Sequence, residues 1–572
     1  MVIFLVLKKQ NLVFCKIIVN TFIFFSLIIS IAFLYQHIIY TWWTRDDTQI
    51  LRHALCYSPW QYFSNPDIWC QLTNWFLTPW LTFTYDLDYY LFGLTPKWFY
   101  IHHLFSLSVC SFLLYLSLRL WIPLFPAIIG TTVFIIGPPI AAMVPHLWIR
   151  HYIEGFLFAL LSNVFFITSL RKDSYFFSVL TSIFYLLAIS CKEVFVPLGV
   201  IFISIPEKNW HKRLLGALPS LFILFFYALW RWQMLGKAML SGYGIPVHFQ
   251  YILNMPKEIT QTLFYPGCLF DYLVGGLMII IGITPIFIER KRQNLIFALV
   301  VIVMVIIPIV PVAWGVSGNP RYVFCIWAVL CIVMSLGFSK LWEHKWLQIC
   351  LLISVCIICG RLIVTREITY YPLIRKNAGE IKAKGQFIFY EKGTDKVLIN
   401  PGIGDAYYEN LMWIRENYQK RPKGPIVSYD PFFLLEKRFN KPYQSISFWE
   451  WDKGKNKVVQ ISDYRMRALW QSLKTHLVPN AHLSLYVECK DGVIKWRFGP
   501  YKNGKYIPLF GDYFEGGGHP LSPRGQIRLW DCREKTFKLT LKYLSPQGWF
   551  TYSPTFSFTP SLHQNTCLKW QR

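Results

Sequence analysis

The sequence predicts a polytopic α-helical membrane protein with about eleven transmembrane helices, followed by a C-terminal extracytoplasmic domain that passes from α/β structure to a β-sandwich. Of its 572 residues, 54% are hydrophobic and 18% aromatic, whereas only 15% are charged, against about 25% in an ordinary soluble domain. One soluble core could not bury so much apolar surface, and disordered chains have fewer aromatic and more charged residues. A soluble enzyme and a disordered protein are therefore both excluded.

Charge divides the chain into two parts. Residues 1–365 contain 24 Lys and Arg and 13 Asp and Glu, whereas residues 366–572 contain 33 and 18. We therefore predict a membrane domain over 1–365 and a water-facing domain over 366–572 with a net charge of +15.

Apolar runs of about 20 residues mark the predicted spans. They lie near residues 17–40, 98–118, 122–145, 152–170, 213–235, 262–288, 294–314, 321–339 and 346–364. A further run, 175–206, is interrupted by Lys192-Glu193 and has Lys and Arg on both sides, which marks both of its ends as cytoplasmic. It must cross outward and return as two helices, 175–190 and 193–206, that are shorter than the ~30 Å hydrocarbon core. We expect Lys192-Glu193 to lie in a recessed cavity.

The distribution of Lys and Arg also predicts orientation. An odd number of spans places the N-terminus in the cytoplasm and the C-terminal domain on the opposite, periplasmic side of a bacterial inner membrane. The first apolar segment has no small-residue cleavage site, so we interpret it as an uncleaved anchor.

The C-terminal residues change their pattern along the chain. Residues 406–420 and 463–476 are expected to be helices, and from about 481 short alternating runs such as Lys535–Tyr543 indicate strands. The segment Gly499–Lys505 has the spacing of a phosphate loop, but Tyr506 replaces the required Ser or Thr, so a hairpin turn is expected. With no nucleotide-binding fingerprint visible, a nucleotide-sugar enzyme is not indicated.

The predicted outer segment 41–97 contains five of the 13 acids of the membrane part: Asp46, Asp47, Asp67, Asp86 and Asp88. Adjacent carboxylates raise each other's proton affinity, which suits one of them to act as a general base. The alternative is that these acids cap helices or oppose Arg45 and Arg52. Cys56 and Cys70 share this segment and could form a disulfide if that side is oxidising.

Other ionisable residues fall at predicted outer ends of spans, where charge is costly and is a functional candidate by default. They are Arg150, His151 and Glu154 before the fourth span, Lys192-Glu193 at the break, and Arg321 beside Tyr322, while the outer segment itself runs into His102 and His103. For Arg150 and Arg321 the alternative is anchoring at the membrane interface. His146, His151 and Glu154 fit no strong metal-binding motif, and we assign no metal ligands.

Taken in order, these motifs resemble the GT-C superfamily of membrane glycosyltransferases, in particular its protein O-mannosyltransferase and aminoarabinose-transferase-like branches. The likeness covers about residues 15–365, and the C-terminal domain matches nothing we can name. It rests on Arg45–Thr48, Leu87–Pro96 with His102-His103, Trp148–Arg150, Ser190–Glu193 with Pro197, and Pro320–Tyr322. Cys191 stands where the family usually has Ser.

The resemblance implies that a sugar moves, with inversion, from a polyprenyl-phosphate donor to an extracytoplasmic acceptor, which is an envelope glycan, lipid or protein. It makes Asp46 the base, with Asp47 as its substitute. The remaining residues would bind substrate: Lys192, Arg321 and Arg150 the phosphate, His102 or His103 as hydrogen-bond donors, Glu193 beside Lys192, and Asp86 or Asp88 the acceptor or a cation. Some members of the superfamily use a divalent cation and others do not, so that requirement stays open.

The charge of +15 suggests an anionic partner, either an envelope glycan or lipid headgroups, although the domain could simply seat against the anionic membrane surface. Nucleic acid is not expected. Two other functions remain open: a transporter or flippase for lipid-linked sugars, and a non-catalytic envelope-assembly protein. Transporters usually place charge near the midplane and contain paired repeats, whereas the acids here concentrate in one outer segment and no repeat is visible.

Overall fold

The computed structural model describes residues 2–236, 248–264, 267–289, 292–402, 405–440, 446–529, 535–561 and 564–572. The chain forms two compact units. Unit 1 consists of residues 1–40, 77–233 and 246–375, and unit 2 of residues 41–76, 234–245 and 376–572. The predicted domain boundary between 365 and 366 stays a prediction.

The described α-helices follow one another from the N-terminus to residue 476. They are α1 (Val2–Tyr35), α2 (Asp47–Cys56), α3 (Pro59–Ser64), α4 (Pro66–Cys70), α5 (Pro79–Phe92), α6 (Pro96–Arg119), α7 (Leu124–Ile136), α8 (Pro138–Met143), α9 (His151–Lys172), α10 (Tyr175–Cys191), α11 (Leu198–Ser204), α12 (Trp210–Leu235), α13 (Phe249–Leu263), α14 (Leu269–Glu289), α15 (Arg292–Ile306), α16 (Pro320–Trp342), α17 (Gln348–Thr365), α18 (Tyr371–Lys376), α19 (Lys382–Tyr390), α20 (Asp405–Trp413), α21 (Phe432–Asn440) and α22 (Asp463–His476).

Unit 1 is helical and apolar, as the sequence predicts. Among the described residues, eight helical segments are long and apolar enough to cross a membrane: Cys15–Tyr40, Pro96–Arg119, Leu124–Met143, Leu147–Lys172, Trp210–Leu235, Arg292–Gly315, Pro320–Trp342 and Lys345–Tyr390. Three shorter apolar helices occupy Tyr175–Cys191, Glu193–Ser204 and Leu269–Thr284. Together these segments fall on the predicted apolar runs. The polytopic helical fold class is confirmed.

Helix packing in unit 1 depends on small residues where two backbones approach closely. A Cβ atom on Gly337 of α16 would lie 2.0 Å from the carbonyl oxygen of Ile281 in α14. On the other side of this contact, a Cβ on Gly282 would lie 2.8 Å from Val333 Cγ1. Only glycine fits at such a crossing.

The strands of unit 2 are β1 (Lys396–Ile399), β2 (Ile426–Ser428), β3 (Ser447–Asp452), β4 (Lys457–Gln460), β5 (Ser484–Lys490), β6 (Val493–Gly499), β7 (Lys505–Phe510), β8 (Gly516–Gly517), β9 (Arg524–Arg528), β10 (Phe537–Leu544), β11 (Phe550–Tyr552), β12 (Phe556–Phe558) and β13 (Thr566–Gln571). The first sheet has the order β2-β1-β3-β4. Its β1 pairs in parallel with β2 and β3, whereas β4 is antiparallel to β3. This sheet and its helices form the predicted α/β part.

Two further sheets form a sandwich. Their orders are β13-β5-β6-β9 and β11-β10-β7-β8, with β12 also paired to β10. A common buried core contains Leu485 and Val487 from the first sheet and Leu539 and Leu541 from the second. The predicted β-sandwich is therefore present, and β10 and α22 fall on the predicted strand and helix at 535–543 and 463–476.

The hairpin expected at Gly499–Lys505 is wrong. Strand β6 ends at Gly499 and pairs with β5 and β9, whereas β7 begins at Lys505 and pairs with β10 and β8. The segment therefore carries the chain from one sheet of the sandwich to the other. Because β7 pairs with β10 and not with β6, the turn residues between β6 and β7 could not reveal which strands pair.

The first part of the predicted outer segment packs within unit 2. The Thr48 hydroxyl donates to the carbonyl oxygen of Tyr407 (3.1 Å), and Arg52 Nη1 donates to Asn410 Oδ1 (3.1 Å). The Arg52 guanidinium also lies 4.7 Å from the Trp413 ring. Helix α2 is thereby fixed to α20.

Candidate functional site

Four charged residues gather where α10 gives way to α11. Lys192 directly follows α10 and has an extended backbone (φ −159°), and Glu193 begins a short 3-10 turn, as expected from the interrupted apolar run. Lys192 Nζ lies 3.3 Å from Glu193 Oε2, and Arg231 Nη1 lies 2.5 Å from Glu193 Oε1. The backbone N–H of Leu77 also donates to Glu193 Oε1 (2.7 Å). Glu193 thus holds two cations in place.

Arg321 adds a third cation. Its guanidinium lies 4.8 Å from each of the Trp148 and Tyr322 rings, and both Arg231 and Arg321 act electrostatically on Lys192. We call Lys192, Glu193, Arg231 and Arg321 the basic cluster. The side chains of Lys192 and Arg231 are only 12% and 15% exposed. Three cations against one carboxylate leave a net charge of +2, which complements a phosphate group.

Sequence reasoning missed Arg231. It lies within the predicted span 213–235, near the end of α12, in the sequence Trp230-Arg231-Trp232. A single arginine inside an apolar run was the available signal, because charge at membrane depth is costly.

A second polar network joins α5, α6 and the start of α9. Arg150 Nη1 donates to Asp88 Oδ2 (2.5 Å), and Arg150 Nε donates to the Thr84 hydroxyl (3.0 Å). His102 Nδ1 lies 2.6 Å from the other Asp88 oxygen. Arg150 and Asp88 are almost completely buried. Arg150 therefore does not anchor at an interface; it forms a buried ion pair that occupies Asp88.

His103 does not join this network, although it follows His102 in the sequence. Successive residues of a helix point in different directions, and among the described residues neither ring nitrogen of His103 has a hydrogen-bond partner. Glu154 is buried nearby, with Oε1 3.7 Å from Arg150 Nε. The Asp88–Arg150 pair therefore has a second carboxylate beside it that the sequence did not single out as a substrate ligand.

The adjacent acids Asp46 and Asp47 belong to unit 2 and differ in environment. Asp47 is buried, and its Oδ2 accepts hydrogen bonds from the Thr44 backbone N–H (2.6 Å) and hydroxyl (3.3 Å). Asp46 is exposed at the start of α2 and follows Arg45, whose φ of 45° is unusual for a residue other than glycine. Asp47 thus has a structural task, whereas Asp46 is an exposed residue. Asp86 is half-buried on α5 in unit 1.

A divalent cation has no ready set of ligands among the described residues. No three His, Cys, Asp or Glu side chains lie together there in a way that could hold a metal ion. Both oxygens of Asp88 are occupied by Arg150 and His102.

Comparison with solved structures finds similar chains at low sequence identity. ArnT from Cupriavidus metallidurans bound to undecaprenyl phosphate matches with a TM-score of 0.44 and 12% identity, over 75% of this chain and 89% of that one. Its apo state matches with a TM-score of 0.42 and 12% identity, over 81% and 95%. The archaeal oligosaccharyltransferase AglB from Archaeoglobus fulgidus, in complex with an inhibitory peptide and a dolichol-phosphate, matches with a TM-score of 0.39 and 11% identity, over 84% and 74%.

No protein-family model and no curated protein sequence matches the chain. At such identities and TM-scores, the function must be argued from the residues of this chain.

Proposed function

We propose that the chain is an integral membrane glycosyltransferase that moves a sugar from a polyprenyl-phosphate donor to an extracytoplasmic acceptor. The observation that carries the proposal is the basic cluster. Its three cations and one carboxylate are largely shielded from solvent and lie at the break between two short apolar helices. Lys and Arg bind phosphate, and the apolar surface of the surrounding helices suits an isoprenoid chain. A lipid-linked donor requires both a cationic site for its phosphate and an apolar surface for its lipid chain.

The proposed reaction is a single displacement. Asp46 removes a proton from an acceptor hydroxyl or amine, and the resulting nucleophile attacks the anomeric carbon of the sugar. The bond from that carbon to the phosphate oxygen breaks, and polyprenyl phosphate leaves with the bonding electrons, so the configuration inverts. Lys192, Arg231 and Arg321 stabilise the negative charge that accumulates on the leaving phosphate.

The choice of Asp46 over Asp47 rests on their surroundings. A general base must be able to reach the acceptor, and Asp46 is exposed. Asp47 is buried with one oxygen committed to Thr44. We propose that Asp47 shapes the turn that presents Asp46, and that Asp88, Arg150 and His102 brace the helices of unit 1.

The test uses purified protein in detergent, radiolabelled polyprenyl-phosphate sugars as donors and crude envelope extract as the acceptor. We expect wild type to release polyprenyl phosphate and Asp46→Asn to lose about 10²- to 10⁴-fold in rate, the usual contribution of a general base. Asp67→Asn, which makes the same change at another exposed acid of unit 2, is the matched control and should release polyprenyl phosphate at the wild-type rate.

Two results would contradict the proposal. One is unchanged release by Asp46→Asn. The other is no release with any donor from protein that elutes as a folded, monodisperse species, which would favour a transporter or an assembly protein. A flipping assay with the same lipids in vesicles then separates those two functions.

A further inference from the structure

One face of the sandwich carries mostly basic side chains. In the sheet β13-β5-β6-β9, Leu485, Val487, Cys489 and Phe498 point into the common core. Because side chains alternate along a strand, the residues between them lie on the opposite face. We call this opposite face the basic face.

Six cations lie on the basic face and one acid, Glu488, lies among them. The cations are Lys490, Lys495, Arg497, Arg524, Arg528 and Lys569. The register places Lys569 opposite Tyr486, Tyr486 opposite Arg497, and Arg497 opposite Arg524. One row therefore crosses all four strands, about 14 Å wide at the usual strand spacing.

This row of cations lowers the stability of the folded sheet. Like charges directly opposite each other destabilise a sheet, yet Arg497 and Arg524 are such a pair. Lys495, Arg497, Arg524 and Lys569 are all exposed. None of them forms an ion pair with an acid in the described parts of the chain, which include every residue of these four strands. An anionic ligand would supply the missing counter-charge.

The outer face of the second sheet of the sandwich packs against α21. Its outer residues Phe550 and Tyr552 pack against Phe432 of α21. One of its outer lysines, Lys542, forms a 2.6 Å ion pair with Asp430. The apolar surface and this lysine therefore have partners within unit 2.

We propose that the basic face binds an anionic glycan. Its cations match carboxylate or phosphate groups repeated along a polymer, and Tyr486, Gln526 and Gln571 between them can hydrogen-bond to sugar hydroxyls. The Tyr486 hydroxyl donates to Glu488 (3.1 Å), which fixes the ring within the row. A surface that inserts into a membrane would expose Trp, Phe or Leu; among the described residues of this face no such side chain is strongly exposed.

The inference rests on the proposed function in one respect, which is that the bound glycan is the acceptor of the sugar. Binding itself does not depend on catalysis. The basic face would bind a polymeric acceptor on the same side of the membrane as the proposed transfer. Because this binding is electrostatic, added salt should weaken the affinity for the glycan.

The test measures binding of fluorescein-labelled polygalacturonate to the full chain in phosphatidylcholine nanodiscs. The variant is Arg497→Gln/Arg524→Gln/Lys569→Gln. The control, Lys423→Gln/Lys453→Gln/Lys457→Gln, removes the same charge from exposed lysines elsewhere in unit 2. We expect a roughly tenfold weaker affinity for the variant and a change within about twofold for the control. Labelled neutral dextran should not bind.

Three outcomes would overturn the inference: an equal loss in the control, equal binding of neutral dextran, or binding to phosphatidylglycerol vesicles through these residues without binding of polygalacturonate. The release assay keeps the two proposals distinguishable. Failure of the wild-type chain to bind polygalacturonate, while it still releases polyprenyl phosphate, contradicts only the glycan site. Retained binding by a chain that never releases polyprenyl phosphate contradicts only the proposed transfer.

Discussion

Asp88 and Asp86 lie two residues apart on α5, yet the structure gives them different tasks. Asp88 is buried against Arg150 and His102, whereas Asp86 is half-buried. Asp88→Asn would leave the buried Arg150 guanidinium short of its counter-charge, so we expect a loss of about 3 to 5 kcal/mol in stability. Thermal unfolding in detergent measures this, with Asp86→Asn as the control. An equal drop in melting temperature for both variants would contradict the assignment.

The sequence could single out Asp88 and Arg150 as candidates, because charge next to apolar runs is rare. It could not pair them, since 62 positions separate the two residues along the chain. For the same reason Arg231 escaped notice: its partner Glu193 is 38 positions away, and only the packing of α12 beside the turn brings them together. Lys192 and Glu193, adjacent in sequence, were recognised.

Helix crossing in unit 1 gives a prediction about a whole element. Gly337→Ala would force the Cβ atom against the Ile281 carbonyl, only 2.0 Å away, so α14 and α16 must separate. We expect a loss of about 1 to 3 kcal/mol or more, seen as a lower melting temperature. Gly276→Ala in α14 is the control, because nothing lies within 4 Å of its Cβ position. Unchanged stability of Gly337→Ala would show that the two helices do not cross so closely.

Helices and strands could be predicted from the sequence where one local constraint determines their pattern of apolar residues. Bilayer thickness sets the length of apolar runs, so the described apolar helices fall on the predicted spans, and strand alternation located β10. Helix α13 and the packing of α2 on α20 were not predicted. Both depend on tertiary partners, as Thr48 with Tyr407 illustrates across 359 positions, and no local pattern records such a partner.

For the whole molecule, orientation across the membrane remains a prediction. It follows from the Lys and Arg distribution, which places the C-terminal domain outside the cytoplasm. Cys567 on β13 is exposed, so a membrane-impermeant maleimide should label it in intact cells, and Cys567→Ser should lack that label. Labelling of Cys567 only after the cells are lysed would place the domain in the cytoplasm and remove the acceptor side proposed above.

The proposed transfer depends on the basic cluster binding the phosphate of the lipid donor. Binding of radiolabelled polyprenyl phosphate to purified protein should measure this, with Lys192→Gln/Arg231→Gln as the variant and Lys97→Gln, an exposed lysine of unit 1, as the control. Each charged hydrogen bond contributes about 1.5 to 3 kcal/mol, so we expect the variant to bind at least ~100-fold more weakly and the control to bind like wild type. Equal affinity of wild type and the double variant would contradict the cluster as the donor site.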